Sequence, residues 1–291
     1  VGFIGVGIMG KSMVRNLMKA GFELHIYART KSKVEDVISE GAQFHESIKD
    51  CVQDCDAVIT IVGFPQDVEE VYFDQGNILD SAKEGTYLID MTTPSPQIAE
   101  KIYEEGTKRG FHVMDAPVTG GDTGAKAGTL SILVGGEKED YEACMPLFEA
   151  MGTNINYQGK AGCGQHCKLA NQIMIAGTLS GVCEALTYAK EQGLDPEVFM
   201  KSVATGAAGS KQLDTFGPKI LKDDYAPGFF MKHFIKDMKL ALIEANRKGL
   251  SLDVLSMVLA NYEELEQEGY GDLGTQALMK FYDEEHRNME E

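Results

Sequence analysis

Gly162-Cys163-Gly164-Gln165-His166-Cys167-Lys168-Leu169-Ala170-Asn171-Gln172 divides the chain into two halves of different character. Upstream, short Val/Ile runs alternate with amphipathic segments and glycine turns, the pattern of an α/β domain. Downstream, period-3.6 patterns dominate and no strand run is evident. The stretch itself opens a helix. From Gln165 to Gln192 there is no Pro, Gly177 and Gly181 are isolated, and Gly193 supplies a C′ residue before Asp195-Pro196 starts another helix. That is roughly 28 residues, or about 42 Å of helix. The pattern predicts an α/β domain over residues 1–160 and an all-helical domain over 161–291, joined by this helix. Lys168, Asn171, Gln172 and Ile175 share one of its faces, so an ammonium and two amides meet on the first turns. A lysine at a domain seam lies where clefts form, and partial burial there suits it to acid/base chemistry. A solvated lysine at an exposed helix start is the plainer alternative.

Toward the N-terminus, Val1-Gly2-Phe3-Ile4 reads as a buried strand, followed by Gly5-Val6-Gly7-Ile8-Met9-Gly10 and a helix from about Lys11 to Ala20. This is G-x-G-x-x-G between strand and helix. The first glycine permits the tight turn, the second lets backbone approach a pyrophosphate, and the third lets helix and strand touch. A second strand, Glu23–Tyr27, ends in Ala28-Arg29-Thr30-Lys31-Ser32-Lys33, where an NAD enzyme usually carries an acid for the ribose 2′-OH. Arg29, a hydroxyl and lysines suit a 2′-phosphate instead. The expected cofactor is therefore NADP(H), with NAD(H) possible.

Further along, the reading is a helix near Ser32–Glu40, a weak strand at Gln43-Phe44, a helix near Ser47–Cys51, and strands at Ala57–Val62 and Tyr87–Asp90. Met91 to Pro96 then leads into a helix to Arg109. Strand ends with small or hydroxylated residues are where an open parallel sheet binds ligands, which selects Val62, Gly63 and Thr93 as cofactor contacts. Thr119-Gly120-Gly121 offers a hydroxyl and successive N–H donors, an anion-binding concavity for a substrate carboxylate. Thr129–Val134 alternates as a strand, and a helix runs through Met151.

Composition narrows the function. With 27 Lys and Arg against 45 Asp and Glu, the formal charge is −18 at pH 7. That disfavours nucleic acid or an anionic membrane as partner. No apolar run approaches the roughly 18 residues of a membrane span, and no signal-peptide pattern is visible, so the expected location is cytoplasmic. Cys163, His166 and Cys167 lack a further ligand cluster, so no metal site is expected, and reduced thiols are the simpler account.

Phe3–Gly10, Asp90-Met91-Thr92-Thr93, Asp115-Ala116-Pro117-Val118-Thr119-Gly120-Gly121, Gly128-Thr129-Leu130, Gly162-Cys163-Gly164 with Lys168–Asn171, and Ile235-Lys236-Asp237-Met238 follow one another in the chain. In that order they resemble the β-hydroxyacid dehydrogenase family over nearly the whole length. Its members include 3-hydroxyisobutyrate dehydrogenase, tartronate semialdehyde reductase and the glyoxylate/succinic semialdehyde reductases. The resemblance implies a Rossmann-like N-terminal domain, an all-α C-terminal domain and a cleft between them. It also implies Lys168 as catalytic lysine, Asn171 on the substrate, Thr119-Gly120-Gly121 on the substrate carboxylate, and Lys236 reaching the cofactor. Val6 stands where Leu is usual, Val62-Gly63 where Leu-Pro is common, and Thr119 where Ser is commonest.

Hydride arriving at a carbonyl carbon creates alkoxide charge, which a positioned proton donor must meet; Lys168 fits that role, with Asn171 and Gln172 on substrate oxygens. The expected activity is interconversion of a small semialdehyde or 2-oxo acid and its hydroxy acid. The alternatives are a 6-phosphogluconate dehydrogenase-like decarboxylase and a non-catalytic NADP-binding interaction protein. Beyond the hinge, helices are expected over Pro196–Ala204, Ser210–Leu221, Phe234–Lys248, Asp253–Glu268 and Thr275–Asn288, and a frayed charged end over Asp283–Glu291. Lys211 is a candidate to meet a second anionic group on the substrate, with a surface lysine as the plainer alternative. A homodimer or homotetramer is expected from the resemblance.

Overall fold

The computed structural model describes residues 1–283. The chain falls into two compact units, Val1–Lys168 and the residues from Leu169 onward. In the first, the strands are β1 (Gly2–Ile4), β2 (His25–Tyr27), β3 (Gln43–Phe44), β4 (Ala57–Thr60), β5 (Tyr87–Asp90), β6 (His112–Asp115), β7 (Val118–Thr119), β8 (Leu130–Gly136) and β9 (Gly152–Gly159). Among the described residues they form a nine-stranded sheet in the order β3-β2-β1-β4-β5-β6-β8-β7, with β9 against β8. From β3 to β6 all pairs are parallel. Both β6 and β7 pair antiparallel with β8, and β9 is parallel to it. The strand order reverses at β1, the switch point at which doubly wound sheets bind dinucleotides. This unit is a Rossmann-like domain, and the second unit is helical.

The period of two along each strand builds the first unit. Phe3, Ile26, Ile59, Ile89 and Met114 stand in register across β1, β2, β4, β5 and β6 and join one apolar core. Val58, Leu88 and Val113, one residue earlier on their strands, join a second core on the other face. A sheet covered on both faces needs such continuous apolar runs.

The linking helix spans Cys163–Glu191. Its end is closed by Gly193 at φ 75°, with Leu194 N–H donating to Ala189 O and Gly193 N–H to Lys190 O, a Schellman arrangement. Leu169, Ala176, Leu179, Cys183 and Leu186 enter the core of the second unit. One sequence expectation fails here. This helix carries an 18-residue window of mean hydropathy 1.2 and so, by length and composition, is apolar enough to cross a membrane. Leu169, Ile173, Ile175, Leu179, Val182 and Leu186 supply most of that apolar character, and 44% of the window is buried in the protein.

Other departures are local. The first helix begins at Ile8 rather than Lys11, directly on the glycine turn. The segment near Ser32 is a 3-10 turn, Lys31–Lys33, followed by a short helix, Glu35–Ser39. Helices Pro65–Phe73 and Gly121–Ala127 occupy segments to which the sequence reading assigns no helix. The helix toward Met151 is two, Lys138–Ala143 and Met145–Met151. In the second unit, Pro196–Ala204, Lys211–Ile220, Met231–Arg247 and Asp253–Gln267 are helical, and Thr275–Tyr282 is a 3-10 helix. The rest of the expected Thr275–Asn288 helix, and the charged end beyond Asp283, lie outside the described residues.

Candidate active site

The glycine turn after β1 separates two demands. Gly5 has φ +97°, and a Cβ there would stand 2.1 Å from the Ile61 carbonyl oxygen; at Gly10 it would stand 2.1 Å from that of Gly5. Both glycines are required by the protein's own backbone. A Cβ on Gly7 would meet nothing within 4 Å, so the second glycine borders open space, as it must where a pyrophosphate approaches backbone. Val6 is buried, Ile8 is exposed and Met9 half-buried. The helix Ile8–Lys19 has Gly7 as N-cap, no side-chain cap and no acid in its first turn. Its positive end is thus left for an external anion. These residues fit a dinucleotide.

On the β2 side, Arg29 is exposed and its Nη2 is paired with Asp67 and lies 3.3 Å from Glu70 Oε2. The carboxylate of Asp67 raises the guanidinium pKa further. Thr30 precedes the 3-10 turn, and its carbonyl accepts from Lys33 N–H. On the β4 side, Val62 N–H donates to Thr92 Oγ1 at 3.0 Å, and Gly63 and Thr93 are half-buried. Thr119 ends β7, Gly120 has φ +131° and Gly121 φ +65°, and Gly121 opens the helix Gly121–Ala127. Gly120 is exposed and Gly121 half-buried, and their positive φ values are a form only glycine adopts readily.

Buried carboxylates at the ends of β5 and β6 tie these parts to the helix that bears Lys168. Asp90 Oδ1 accepts from Thr60 Oγ1 at 2.7 Å and from Thr92 N–H at 3.1 Å. Asp115 accepts from Gly162 N–H through Oδ1 at 2.7 Å and from Gln165 N–H through Oδ2 at 2.8 Å. It caps the long helix from a distance. Gln165 Nε2 donates back to the Thr92 carbonyl at 2.9 Å. Burial pushes the Asp115 carboxyl up to about 6, against the pull of the Gly162 and Gln165 N–H donors, and Asp90 adds to the rise. At Gly164 a Cβ would stand 2.3 Å from the Leu133 carbonyl oxygen, so the helix start is seated directly on β8. Lys168, one turn on, is 8% exposed. The surface-lysine alternative does not describe it.

In the second unit a separate polar chain runs through the core. Asn171 Nδ2 donates to Gln172 Oε1 at 2.8 Å, Gln172 Nε2 donates to Asp237 Oδ2 at 2.7 Å, and Lys236 Nζ pairs with Asp237 Oδ1 at 2.8 Å. Gln172 is 1% exposed, and both ends of its amide are used within the protein. Lys211 is exposed in the first turn of its helix. Among the described residues no three His, Cys, Asp or Glu side chains gather as a metal site requires. Asp67, Asp115, Gln165 and Asp237 carry no assignment from sequence; an Asp closing an apolar strand, as at Asp90 and Asp115, is the one signal that points to any of them.

A family model described as the NAD-binding domain of 6-phosphogluconate dehydrogenase matches residues 1–159. Another, described as the NAD-binding of NADP-dependent 3-hydroxyisobutyrate dehydrogenase, matches residues 162–282. The chain belongs to the β-hydroxyacid dehydrogenase family. Among relatives of this dehydrogenase, an uncharacterised Bacillus subtilis oxidoreductase, YkwC, is 49% identical, covering 97% of this chain and 98% of its own. The 2-hydroxy-3-oxopropionate reductase of Escherichia coli is 36% identical over 87% of this chain and 86% of its own. The solved structure of Mycobacterium tuberculosis 3-hydroxyisobutyrate dehydrogenase with L-serine superposes with a TM-score of 0.87 at 27% identity, covering 96% and 97% of the two chains. This β-hydroxyacid dehydrogenase is an oxidoreductase with NAD(P)-binding domains.

Proposed function

We propose that the chain interconverts a small semialdehyde or 2-oxo acid and the corresponding hydroxy acid with NADP(H), using Lys168 as general acid and base. The observation that carries this reading is Lys168 itself, nearly buried one turn beyond a helix start held by Asp115 and Gln165. A bound nicotinamide supplies the hydride. The turn Gly5–Gly10, with Val62, Gly63 and Thr93, holds the dinucleotide, and Arg29 and Thr30 receive its 2′-phosphate. Thr119, Gly120 and Gly121 take the substrate carboxylate through a hydroxyl and N–H donors, which fixes the face that the carbonyl presents. Lys168 gives a proton to the forming alkoxide in reduction, and its neutral form removes one in oxidation. Asn171 donates to a substrate oxygen, with Gln172 and Asp237 orienting it, and Lys236 reaches the cofactor. The match of the second half to a 3-hydroxyisobutyrate dehydrogenase model favours this over an oxidative decarboxylase acting on a sugar phosphate.

The test follows NADPH consumption with glyoxylate, succinic semialdehyde, tartronate semialdehyde and methylmalonate semialdehyde, wild type beside Lys168→Ala. Turnover of at least one substrate should fall about 10²- to 10⁴-fold in the variant, with NADPH binding unchanged. Equal turnover in the two proteins removes Lys168 from the mechanism, and no turnover in the wild type removes the substrate class.

A further inference from the structure

Arg29 stands just past β2, and the helix Pro65–Phe73 follows β4. Because β2 and β4 are the two parallel neighbours of β1, their C-terminal ends flank the glycine turn. The β4 side brings Asp67 and Glu70, three residues apart on the helix, onto Arg29. Asp67 is held in place: its Oδ2 accepts from Phe64 N–H at 2.9 Å, closing the first turn, and its side chain is 18% exposed. The neighbouring cation, Lys31, is also engaged, 3.3 Å from Glu46 Oε1 and over the Phe44 ring. The guanidinium and its two carboxylates together carry one net negative charge.

We infer that Asp67 and Glu70 narrow this enzyme's preference for NADPH over NADH, by engaging Arg29 and repelling a 2′-phosphate. The inference rests on the reading that Arg29 receives that phosphate. Arg29 meets both carboxylates through Nη2, one of the three nitrogens over which a guanidinium spreads its five N–H donors. A 2′-phosphate, nearly dianionic at neutral pH, either displaces them from Nη2 or binds beside them, and in both cases lies next to two carboxylates. A free 2′-OH meets no such penalty, and Asp67 supplies from β4 the kind of acceptor that the end of β2 lacks.

Dissociation constants for NADPH and NADH, from titration of cofactor fluorescence at low and high salt, test this on wild type, Asp67→Asn, Glu70→Gln and Arg29→Ala. Asp67→Asn keeps an acceptor for Phe64 N–H, and Glu70→Gln touches no cap. Each carboxylate variant should raise the NADPH-over-NADH affinity ratio about fivefold, with the gain shrinking at high salt. Arg29→Ala should lower the ratio. An unchanged or lowered ratio in both carboxylate variants overturns the inference; a lowered one makes the carboxylates organisers of Arg29 for phosphate. If Arg29→Ala lowers the ratio while the carboxylate variants do nothing, the phosphate reading stands and only the inference falls. If Arg29→Ala leaves the ratio unchanged, both fall.

Discussion

Replacing Asp115 with Asn separates the charge of this side chain from its shape. The folded carboxyl titrates at about 6 and its ordinary value is 3.8, a rise of about 2 units, or about 3 kcal/mol. A raised pKa means that the folded protein binds the proton more tightly than the unfolded chain. The associated stability is fully present below about pH 4 and is lost as pH rises through about 6. Between about pH 5 and 7.5 the wild type should lose about 1.4 kcal/mol from this group alone. Asn does not titrate. It also offers one acceptor oxygen where the carboxylate offers two, so either Gly162 or Gln165 N–H loses its partner, at a cost of about 1–3 kcal/mol at any pH. The variant should therefore be less stable at low pH, with the gap closing as pH rises. Urea unfolding of both proteins at about pH 5, 6 and 7.5 reads this directly. Parallel profiles, or a gap that widens with pH, refute a buried carboxyl of raised pKa at the helix start.

The glycine turn gives a paired prediction. Gly10→Ala should cost about 1–3 kcal/mol through its clash with Gly5, whereas Gly7→Ala should melt like wild type yet bind NADPH more weakly; thermal melts and cofactor titrations compare them. In the helical unit, Asp237→Ala removes the acceptor of Gln172 and the partner of Lys236, and should cost about 3–5 kcal/mol by denaturant unfolding. Asp237→Asn, which keeps an acceptor for Gln172, should cost less.

The parts legible in the chain are those written in a few adjacent residues. The apolar runs of β1, β4 and β5, the G-x-G-x-x-G turn, and a long helix free of Pro and closed by Gly193 each declare themselves within one or two turns of chain, because strand period, glycine φ and helix stops are local properties. They suffice for a Rossmann-like half followed by a helical half. β9 escapes because Gly152–Gly159 is mostly polar and exposed; its backbone pairing with β8 leaves no apolar period. The Gly121–Ala127 helix hides among glycines, and Thr275–Tyr282 keeps a helical pattern while winding more tightly.

The supports of the candidate site are another matter. Arg29 meets Asp67 across 38 residues of sequence, Asp115 meets Gly162 across 47 and Gln165 across 50, and Gln172 meets Asp237 across 65. Lys168 and Arg29 could be chosen from their neighbours in sequence. What surrounds them, and hence whether the one is buried and the other already paired, depends on which strand ends and helix starts the fold brings together, and no local pattern encodes that.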